Sequence, residues 1–367
     1  MRLAFAIVSL FPWGGLQRDC LRLARAANRA GHEVTILTVR TSGELPTDLD
    51  IRILPVRSFT NHGRNRRFSE ALQEAVAGHF DRVIGFDKMP GLDVLYCGDL
   101  CFADSNRGAW SKLNPRVHAM LALEGACFAR TSLTRVLGLA QSQIAAYRRA
   151  WGTPAERIVL LPPPIDPARR HPEFRNDGTR ERVRAELDLP RETVALLSVG
   201  AWPYRKGFDR IIVGLPAIPQ TCFFICGIDA KSREGTELLN QASSLRVADR
   251  IRLLGCREDV PELMAAADLL VHPARAETTG TVILEAIING LPAIVTESCG
   301  FASHVREADA GIVIPEPFTA DKLSDALARA SEPSHRGMWS AKAAFYGANP
   351  QLYGGVDRAL AAILELG

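Results

Sequence analysis

The sequence predicts an α/β protein made of two doubly wound domains, and three observations support that fold class. Short apolar runs rich in β-branched residues alternate with amphipathic helical periodicity along the whole 367-residue chain. The runs lack polar alternation, which is typical of parallel strands covered by helices on both faces. A chain of this length exceeds one ordinary core and fits two domains of roughly 150–200 residues each.

The first half opens with a strand, a glycine pair and a helix. Met1–Trp13 also has the apolar stretch of a short signal peptide, but it lacks a small-x-small cleavage site, so a buried strand is favoured. Helix Gln17–Ala30 follows and ends at Gly31, a residue able to adopt the left-handed conformation that closes helices. The predicted strands are Leu3–Leu10, Glu33–Val39, Ile51–Val56, Arg82–Phe86, Val94–Cys97 and Arg135–Leu139.

A proline-rich, charged stretch, Pro162–Pro172, separates the halves. We therefore predict domains over 1–165 and 166–346. A final helical segment, about 347–367, could finish the second domain, but we expect it to cross back and brace the first. The strands predicted for the second half are Thr193–Val199, Cys222–Cys226, Arg250–Leu254, Asp268–His272, Ala293–Thr296 and Gly311–Ile314.

The composition excludes several classes of protein. Hydrophobic residues make up 47% and charged residues 23% of the chain, as in soluble globular proteins. The 44 Lys and Arg against 41 Asp and Glu leave a formal charge of only +3, which does not indicate a nucleic-acid binder. No apolar run reaches the roughly 18–20 residues that cross a bilayer. The eight cysteines show no CxxC pattern, so we expect reduced thiols in a cytoplasmic compartment and no zinc site.

Two loops after predicted strands have the composition of anion sites. Gly14-Gly15 opens the first helix and is either a tight turn or a place where backbone N–H groups meet an anion. Arg205-Lys206, after the first strand of the second domain, is either a solvated basic turn or a diphosphate contact. Neither loop contains GxGxxG or GxxxxGK[ST], so a nicotinamide enzyme and a P-loop enzyme are not supported.

The strongest local feature is the segment His272–Ala286, which leaves a strand and becomes a helix. Glu277 lies in its loop and Glu285 about a turn into its helix, a spacing of about 10–12 Å at ~1.5 Å or more per residue. That span suits a nucleotide-sugar better than a carboxylate pair acting on one bond. A capped helix with two exposed acids is the alternative interpretation.

Asp48-Leu49-Asp50 has the DxD pattern that binds metal in other sugar-transferring enzymes. It falls in a proline-containing loop between two strands of the first domain. We interpret it as a solvated turn and predict no metal.

The pattern of Glu277 and Glu285, with Arg205-Lys206-Gly207 and Gly14-Gly15, resembles the retaining GT-B glycosyltransferases of family 4 type. The GT-B fold has two Rossmann-like domains facing a cleft. Four further segments are similar to the lipopolysaccharide core glucosyltransferases that modify an inner-core heptose: Phe11–Asp19, Asn61–Asn65, Gly85–Asp93 and Cys299–Ala302. The resemblance implies transfer of glucose or a related hexose from a UDP-sugar, without metal or cofactor.

The resemblance also implies roles for individual residues. The donor site would place the diphosphate against Gly14, Gly15, Arg205, Lys206, Gly280, Thr281 and Val282, the ribose on Glu285, the hexose on Glu277 and the uracil beside Arg257. Asp99 and Asp19 are the acid/base candidates, with Glu277 completing the catalytic set. The acceptor would meet Asn61, His62, Arg64 and Lys88.

Two acceptor-side features have simpler alternatives. Arg64 begins a basic run in a predicted loop, which is either solvated or a phosphate contact. The cationic segment with Trp110, Lys112 and Arg116 is either a core-facing helix or a helix on the anionic cytoplasmic surface of the inner membrane.

Other functions remain open at this stage. The loops beside the donor sugar differ from the family at Ala201–Tyr204 and Ala274–Ala276, so galactose or an N-acetylhexosamine is an alternative to glucose. A catalytically idle sugar-nucleotide-binding or scaffold protein and a sugar-nucleotide epimerase are alternatives to the transferase.

Overall fold

The computed structural model describes residues 1–12, 14–105 and 114–365. The chain divides into two compact units. One comprises Met1–Pro164 and Gln351–Gly367, and the other comprises Ile165–Pro350. Each unit contains a parallel sheet with connecting helices, so the α/β class predicted from the sequence is confirmed.

The sheet of the first unit has seven strands in the order β3-β2-β1-β4-β5-β6-β7, all pairs being parallel. Its strands are β1 (Arg2–Leu10), β2 (Glu33–Thr41), β3 (Asp50–Ile53), β4 (Arg82–Gly85), β5 (Val94–Cys97), β6 (Arg135–Gly138) and β7 (Ile158–Leu160). Its helices are α1 (Gly15–Arg29), α2 (Asn61–Val76), α3 (Phe102–Ser105), α4 (Pro115–Phe128), α5 (Gln141–Trp151) and α15 (Gly355–Leu364).

Strand β1 shows why both faces of this sheet are covered. Its alternating side chains enter two separate apolar clusters, Leu3, Phe5 and Ile7 on one face and Ala4, Ala6 and Val8 on the other. Helices α1 and α15 cover the first face through small and aliphatic side chains, so the C-terminal helix belongs to this unit. A strand buried on both faces has no polar alternation, which is the pattern seen in the sequence.

The second unit has six parallel strands in the order β10-β9-β8-β11-β12-β13. The strands are β8 (Val194–Val199), β9 (Thr221–Cys226), β10 (Ile251–Gly255), β11 (Leu269–His272), β12 (Ala293–Thr296) and β13 (Gly311–Ile314). The helices are α6 (Thr179–Glu186), α7 (Pro203–Lys206), α8 (Phe208–Gly214), α9 (Arg233–Ser244), α10 (Val260–Ala266), α11 (Thr281–Ile288), α12 (Ala302–Ala308), α13 (Ala320–Ala330) and α14 (Pro333–Tyr346).

Strand order reverses once in each sheet, between β1 and β4 in the first unit and between β8 and β11 in the second. Open α/β sheets bind ligands outside the carboxyl ends of the strands at such a reversal, because the flanking connections leave to opposite faces. We therefore expect ligand-binding and catalytic side chains in the loops after these four strands.

Three local predictions from the sequence are wrong. Arg64 lies in the first turn of helix α2 rather than in a loop, because Thr60 caps that helix through a hydrogen bond from the Gly63 N–H at 3.2 Å. Asp50 begins β3 and accepts from the Thr35 hydroxyl at 2.8 Å, so the DxD segment is not simply a solvated turn. Strand β7 was missed because its three residues are too few to show a pattern.

Candidate active site

In the second unit, the loops after β8 and β11 meet because these strands are neighbours in the sheet. The Arg275 N–H donates to the Arg205 carbonyl at 2.8 Å. Gly207 has a φ of +76°, and a Cβ there would lie 2.1 Å from the Pro273 carbonyl oxygen. Only glycine permits this approach. The contact brings a basic pair and an acid together although they are 71 positions apart in the chain.

Glu277 is the centre of a charged cluster in these loops. It is 8% exposed. Its Oε2 pairs with Lys206 Nζ and lies 3.3 Å from His272 Nε2, and its Oε1 lies 3.9 Å from Arg205 Nη2. The carboxylate is therefore held on both oxygens by groups from two loops. An exposed acid beside a capped helix, the simpler alternative, is not what the structure shows.

The surroundings of Glu277 determine its charge. Burial favours the neutral acid, but His272 and Lys206 outweigh it and lower the pKa of Glu277 to about 2. His272 is completely buried, and burial lowers its pKa despite its contact with Glu277. The ring is therefore neutral near pH 7, and its Nε2 donates to the carboxylate as the N–H tautomer requires. The sequence displayed His272 at a strand end but offered no signal for this role.

Helix α11 begins directly after this cluster. Gly280 is its N-cap in the left-handed conformation, with a φ of +74°, and no side chain caps the helix. The first N–H groups of a helix lack intrahelical partners and carry partial positive charge. Thr281 and Val282 supply two of these groups, so the helix end is suited to an anion beside Arg205 and Lys206.

Glu285 lies within α11 and is 5% exposed. Its Oε1 is 2.8 Å from Nε of Arg169, which the sequence interpretation did not mention. The carboxylate is thus anchored on one side.

The residues that differ from the family pattern form their own contact. Arg275 pairs with Asp209 through two hydrogen bonds of 2.7 Å, and its guanidinium lies 3.7 Å from the centre of the Tyr204 ring. Trp202 and Tyr204 are largely exposed, at 72% and 69%. The Arg275 contacts with Asp209 and Tyr204 therefore fix the loop that carries Arg205 and Lys206.

Arg257 stands two residues after β10 and is exposed. It forms a pair with Asp259, the Nε–Oδ1 distance being 2.8 Å. Among the described residues, no hydrogen bond or ion pair joins Arg257 to Glu277.

In the first unit, the strand-order reversal carries an acid that the sequence interpretation missed. Asp87 follows β4, and its Oδ2 accepts from the Val8 N–H of β1 at 2.6 Å. Burial raises the pKa of Asp87 to about 6, the charge of Asp99 adds to the effect, and Lys88 and Arg64 oppose it. Its position directly after a strand was the available signal.

Lys88 is buried and already paired. Its Nζ donates to Glu124 Oε2 at 2.7 Å and to the Leu100 carbonyl at 2.9 Å. Burial opposes its charge, but Asp99 and Glu124 prevail and raise its pKa. Glu124 is fully buried and also accepts from the Trp151 indole at 2.9 Å. Lys88 therefore organises the loop after β4 and is not an open contact for a ligand.

The two proposed acid/base residues lie on separate elements of the first unit. Asp99 follows β5 and is exposed, and its carbonyl accepts from the Gln143 amide at 2.7 Å and the Tyr147 hydroxyl at 3.2 Å. Asp19 lies on α1, where its Oδ2 accepts from the Tyr96 hydroxyl at 3.0 Å. Buried partners therefore hold the backbone of Asp99 and the carboxylate of Asp19.

The remaining predicted residues of the first unit lie at helix starts. Gly14 caps α1, and a Cβ at Gly15 would meet no described atom within 4 Å, so no internal contact requires that glycine. Asn61 is exposed on the first turn of α2, and Nε2 of His62 is 3.4 Å from the Thr60 hydroxyl. Arg64 is half-buried there.

Of the predicted membrane residues, Trp110 and Lys112 lie outside the described residues. Arg116 is exposed in the first turn of α4, whose buried side includes Val117 and Phe128. Within the described ranges, no helix is long and apolar enough to cross a membrane. The same ranges contain no cluster of three His, Cys, Asp or Glu residues suited to a metal ion.

The chain has two Rossmann-like units, one of them with a basic pair, a buried acid and a helix N-terminus at its strand-order reversal. This arrangement indicates a GT-B glycosyltransferase as the class of protein. Two family profiles agree. "Glycosyltransferase Family 4" matches residues 13–169, and "Glycosyl transferases group 1" matches residues 179–344.

The lipopolysaccharide glucosyltransferase WaaG of Escherichia coli is 38% identical over 363 residues, covering 96% of both chains. A crystal structure of WaaG superposes with a TM-score of 0.93 at 37% identity, covering 99% of this chain and 100% of that one. Anabaena Alr3699/HepE, solved with UDP and glucose, is 17% identical with a TM-score of 0.77 over 99% of both chains, and shows the fold alone. The chain belongs to the family 4 glycosyltransferases with the GT-B fold, alongside WaaG.

Proposed function

We propose that this glycosyltransferase moves glucose or a related hexose from a UDP-sugar to an inner-core heptose of lipopolysaccharide, with retention of anomeric configuration and without metal. The observation that carries the proposal is the cluster of Arg205, Lys206, Glu277 and His272 at the start of α11. The 38% identity with WaaG over nearly the whole chain supports the choice of acceptor.

The second unit would hold the donor. The diphosphate lies against Arg205, Lys206 and the N–H groups of Gly280, Thr281 and Val282, which together offset its charge. Lys206 pairs with Glu277, so a bound diphosphate would share Lys206 with that carboxylate. Glu277 would accept hydrogen bonds from hexose hydroxyls, while His272 keeps the carboxylate in place. Glu285, anchored by Arg169, binds the ribose hydroxyls.

The transfer itself would follow a same-face route. The bond between the anomeric carbon and the diphosphate oxygen breaks, and the acceptor oxygen bonds to that carbon on the same face. The acceptor proton moves to the departing diphosphate, whose growing charge Arg205, Lys206 and α11 stabilise. Asp99, Asp19 and Glu277 are the side chains proposed to orient the acceptor and the reacting hexose. Gly14, Gly15 and the uracil contact near Arg257 complete the proposed donor contacts.

The function is tested with purified protein, a heptose-terminated lipopolysaccharide acceptor, and separate UDP-glucose, UDP-galactose and UDP-N-acetylglucosamine donors. We expect transfer of one hexose with an α-anomeric product by NMR and unchanged rates after EDTA. Absence of transfer from every donor would overturn the proposal, and transfer restored only by Mn²⁺ or Mg²⁺ would overturn the metal-free mechanism.

We also propose that the protein associates peripherally with the cytoplasmic face of the inner membrane through the cationic segment containing Trp110, Lys112 and Arg116. The protein should float with anionic vesicles and not with neutral ones, and binding should weaken with salt, because each cation contributes only about 1 kcal/mol and is screened. Replacing those three residues together should abolish flotation with UDP affinity unchanged. Flotation of the triple variant like the parent would contradict this proposal.

A further inference from the structure

Two arginines of the first unit, one on β2 and one on α2, have no ion-pair partner among the described residues. Arg40 is near the end of β2, directly beside Ser9 of β1 in the strand register, and its Nε donates to the Ser9 hydroxyl at 2.8 Å. Arg64 is in the first turn of α2. Neither guanidinium forms an ion pair with any residue in the ranges 1–12, 14–105 and 114–365.

Arg64 also contains an unsatisfied donor. Its Nε is buried and has no hydrogen-bond partner among the described residues. A buried N–H of a charged group normally has a partner, because leaving it unpaired costs about 1–3 kcal/mol or more. Burial lowers the pKa of Arg64, and the charge of Arg40 lowers it further, which shows that the two cations repel each other.

The nearest negative group does not resolve this imbalance. Asp87 is the acid that faces Arg64, but one of its oxygens already accepts from the Val8 N–H at 2.6 Å. No acid occupies the first turn of α2, a helix of 16 residues, so its N-terminus adds positive potential. The cluster therefore has two guanidiniums and a helix end on one side and a single engaged carboxyl on the other.

The first sheet places this cluster where ligands bind. Strands β1 and β2 run parallel and end at Leu10 and Thr41, so Arg40 and Ser9 lie at the carboxyl edge of the sheet. Asp87 follows β4, the neighbour of β1 at the strand-order reversal. Guanidinium groups bind oxyanions bidentately, so a phosphate or carboxylate at this edge of the sheet would be held by the terminal nitrogens of Arg40 and Arg64.

We infer that Arg40, Arg64 and Ser9 form a subsite for an anionic substituent, a phosphate or a carboxylate, on the acceptor saccharide. The subsite rests on the proposed function for the identity of the saccharide, while the anion chemistry rests on the cluster itself. It gives the enzyme a means of selecting acceptors that already carry negative charge.

The first experiment compares acceptors. KM is measured for a phosphorylated heptose acceptor and for the same acceptor after chemical dephosphorylation, with the parent and with Arg40→Gln, Arg64→Gln and the double variant. We expect KM for the phosphorylated acceptor to rise about tenfold in each single variant, with kcat and UDP affinity within twofold of the parent. Arg66→Gln, two residues along α2 where Arg66 lies 3.6 Å from Glu70, is the matched control and should not change KM.

The dephosphorylated acceptor identifies the source of the anion. If the variants and the parent have equal KM values for the dephosphorylated acceptor, the bound group is the phosphate. If the KM values of the variants remain raised for that acceptor, the bound group is a carboxylate. Equal KM values for parent and variants with both acceptors would overturn the subsite, as would an equal rise in Arg66→Gln.

A second measurement does not depend on transfer. With saturating UDP present to occupy the proposed donor site, inorganic phosphate should raise the thermal unfolding temperature of the parent in a saturable way, because a ligand that binds only the folded state stabilises it. The double variant should show no such rise, and Arg66→Gln should behave like the parent. An equal response in the double variant would overturn the subsite, whereas a parent that binds phosphate but transfers no hexose would overturn only the proposed function.

Discussion

Glu277 in the second unit and Asp87 in the first occupy comparable places, each beyond a strand that flanks the reversal of strand order. Glu277 has Lys206, His272 and Arg205 around it, and its pKa falls to about 2. Burial, with the nearby charge of Asp99, instead raises the pKa of Asp87 to about 6, although Lys88 and Arg64 oppose the shift. In the second unit the acid is held charged by its neighbours, whereas in the first unit burial pushes the acid towards neutrality.

This difference indicates how the two sites are built. A diphosphate donor carries the same charges in every turnover, so a fixed set of cations is suited to it. At the sheet edge of the first unit, Arg40 and Arg64 have no ion-pair partner among the described residues, and in the proposed subsite an anionic acceptor would supply one.

The largest effect is expected for Glu277→Gln. The amide keeps the shape but loses the charge that orients the hexose and balances Lys206, so kcat should fall about 10²–10³-fold while UDP affinity changes little. Steady-state kinetics and calorimetric titration with UDP measure the two quantities. Asp87→Asn, the matched amide in the first unit, should leave UDP affinity unchanged. Equal turnover in Glu277→Gln and the parent would remove Glu277 from the reaction.

Next in size are opposite pH dependences of stability. The folded pKa of Glu277, about 2, lies below its ordinary 4.5, so its contribution is complete above pH 4.5 and is lost as the pH falls through 2. The folded pKa of Asp87, about 6, lies above 3.8, so ionisation destabilises the fold as the pH rises from 4 to 6. Each carboxyl changes the free energy of unfolding by up to about 3 kcal/mol, at about 1.36 kcal/mol per pKa unit.

Urea unfolding of the two amide variants at pH 4 and pH 8 tests these slopes. Asp87→Asn should gain stability relative to the parent at pH 8 and little at pH 4, because its carbonyl can still accept from the Val8 N–H. Glu277→Gln should lose stability at both values, since its carboxylate is ionised at both. A loss of stability in Asp87→Asn at pH 8 would contradict the expectation that ionised Asp87 destabilises the first unit.

Lys206→Ala should weaken UDP binding by about 10–100-fold, because a charge-assisted contact contributes about 1.5–3 kcal/mol. Glu285→Ala should weaken it as well through the ribose. Lys231→Ala, an exposed lysine of the same unit, is the control and should bind UDP like the parent. Calorimetric titration measures the UDP affinity of each variant. Unchanged affinity in both Lys206→Ala and Glu285→Ala would refute the proposed position of the donor.

The smallest effect is expected for His272→Asn, whose shorter side chain keeps an N–H donor but no longer reaches the Glu277 carboxylate. As a positioning residue, His272 should affect kcat by about tenfold, with UDP affinity unchanged and partial rescue by His272→Gln. A loss of UDP affinity equal to the loss of kcat would indicate a structural role for the ring instead.

The sequence alone was sufficient for the fold class, and it marked the acids and cations that we propose for the donor site of the second unit. Local patterns can be recognised in a sequence without a structure. Here they are the uninterrupted apolar strands, the glycines and the spacing of Glu277 and Glu285. The sequence could not show which charges neutralise one another. The pairing of Lys206 with Glu277 spans 71 positions, and that of Lys88 with Glu124 spans 36.

These ion-pair partners depend on the packed fold, because the order of the strands in each sheet determines which loops become neighbours. The adjacency of β8 and β11 brings Lys206 to Glu277, and that of β1 and β4 brings Asp87 to the Val8 N–H. Burial, which determines whether an acid is held charged or pushed towards neutrality, is likewise a property of the packed sheet. The contacts of His272 and Arg40 were therefore not predictable from the sequence, and Asp87 was marked there only by its position after a strand.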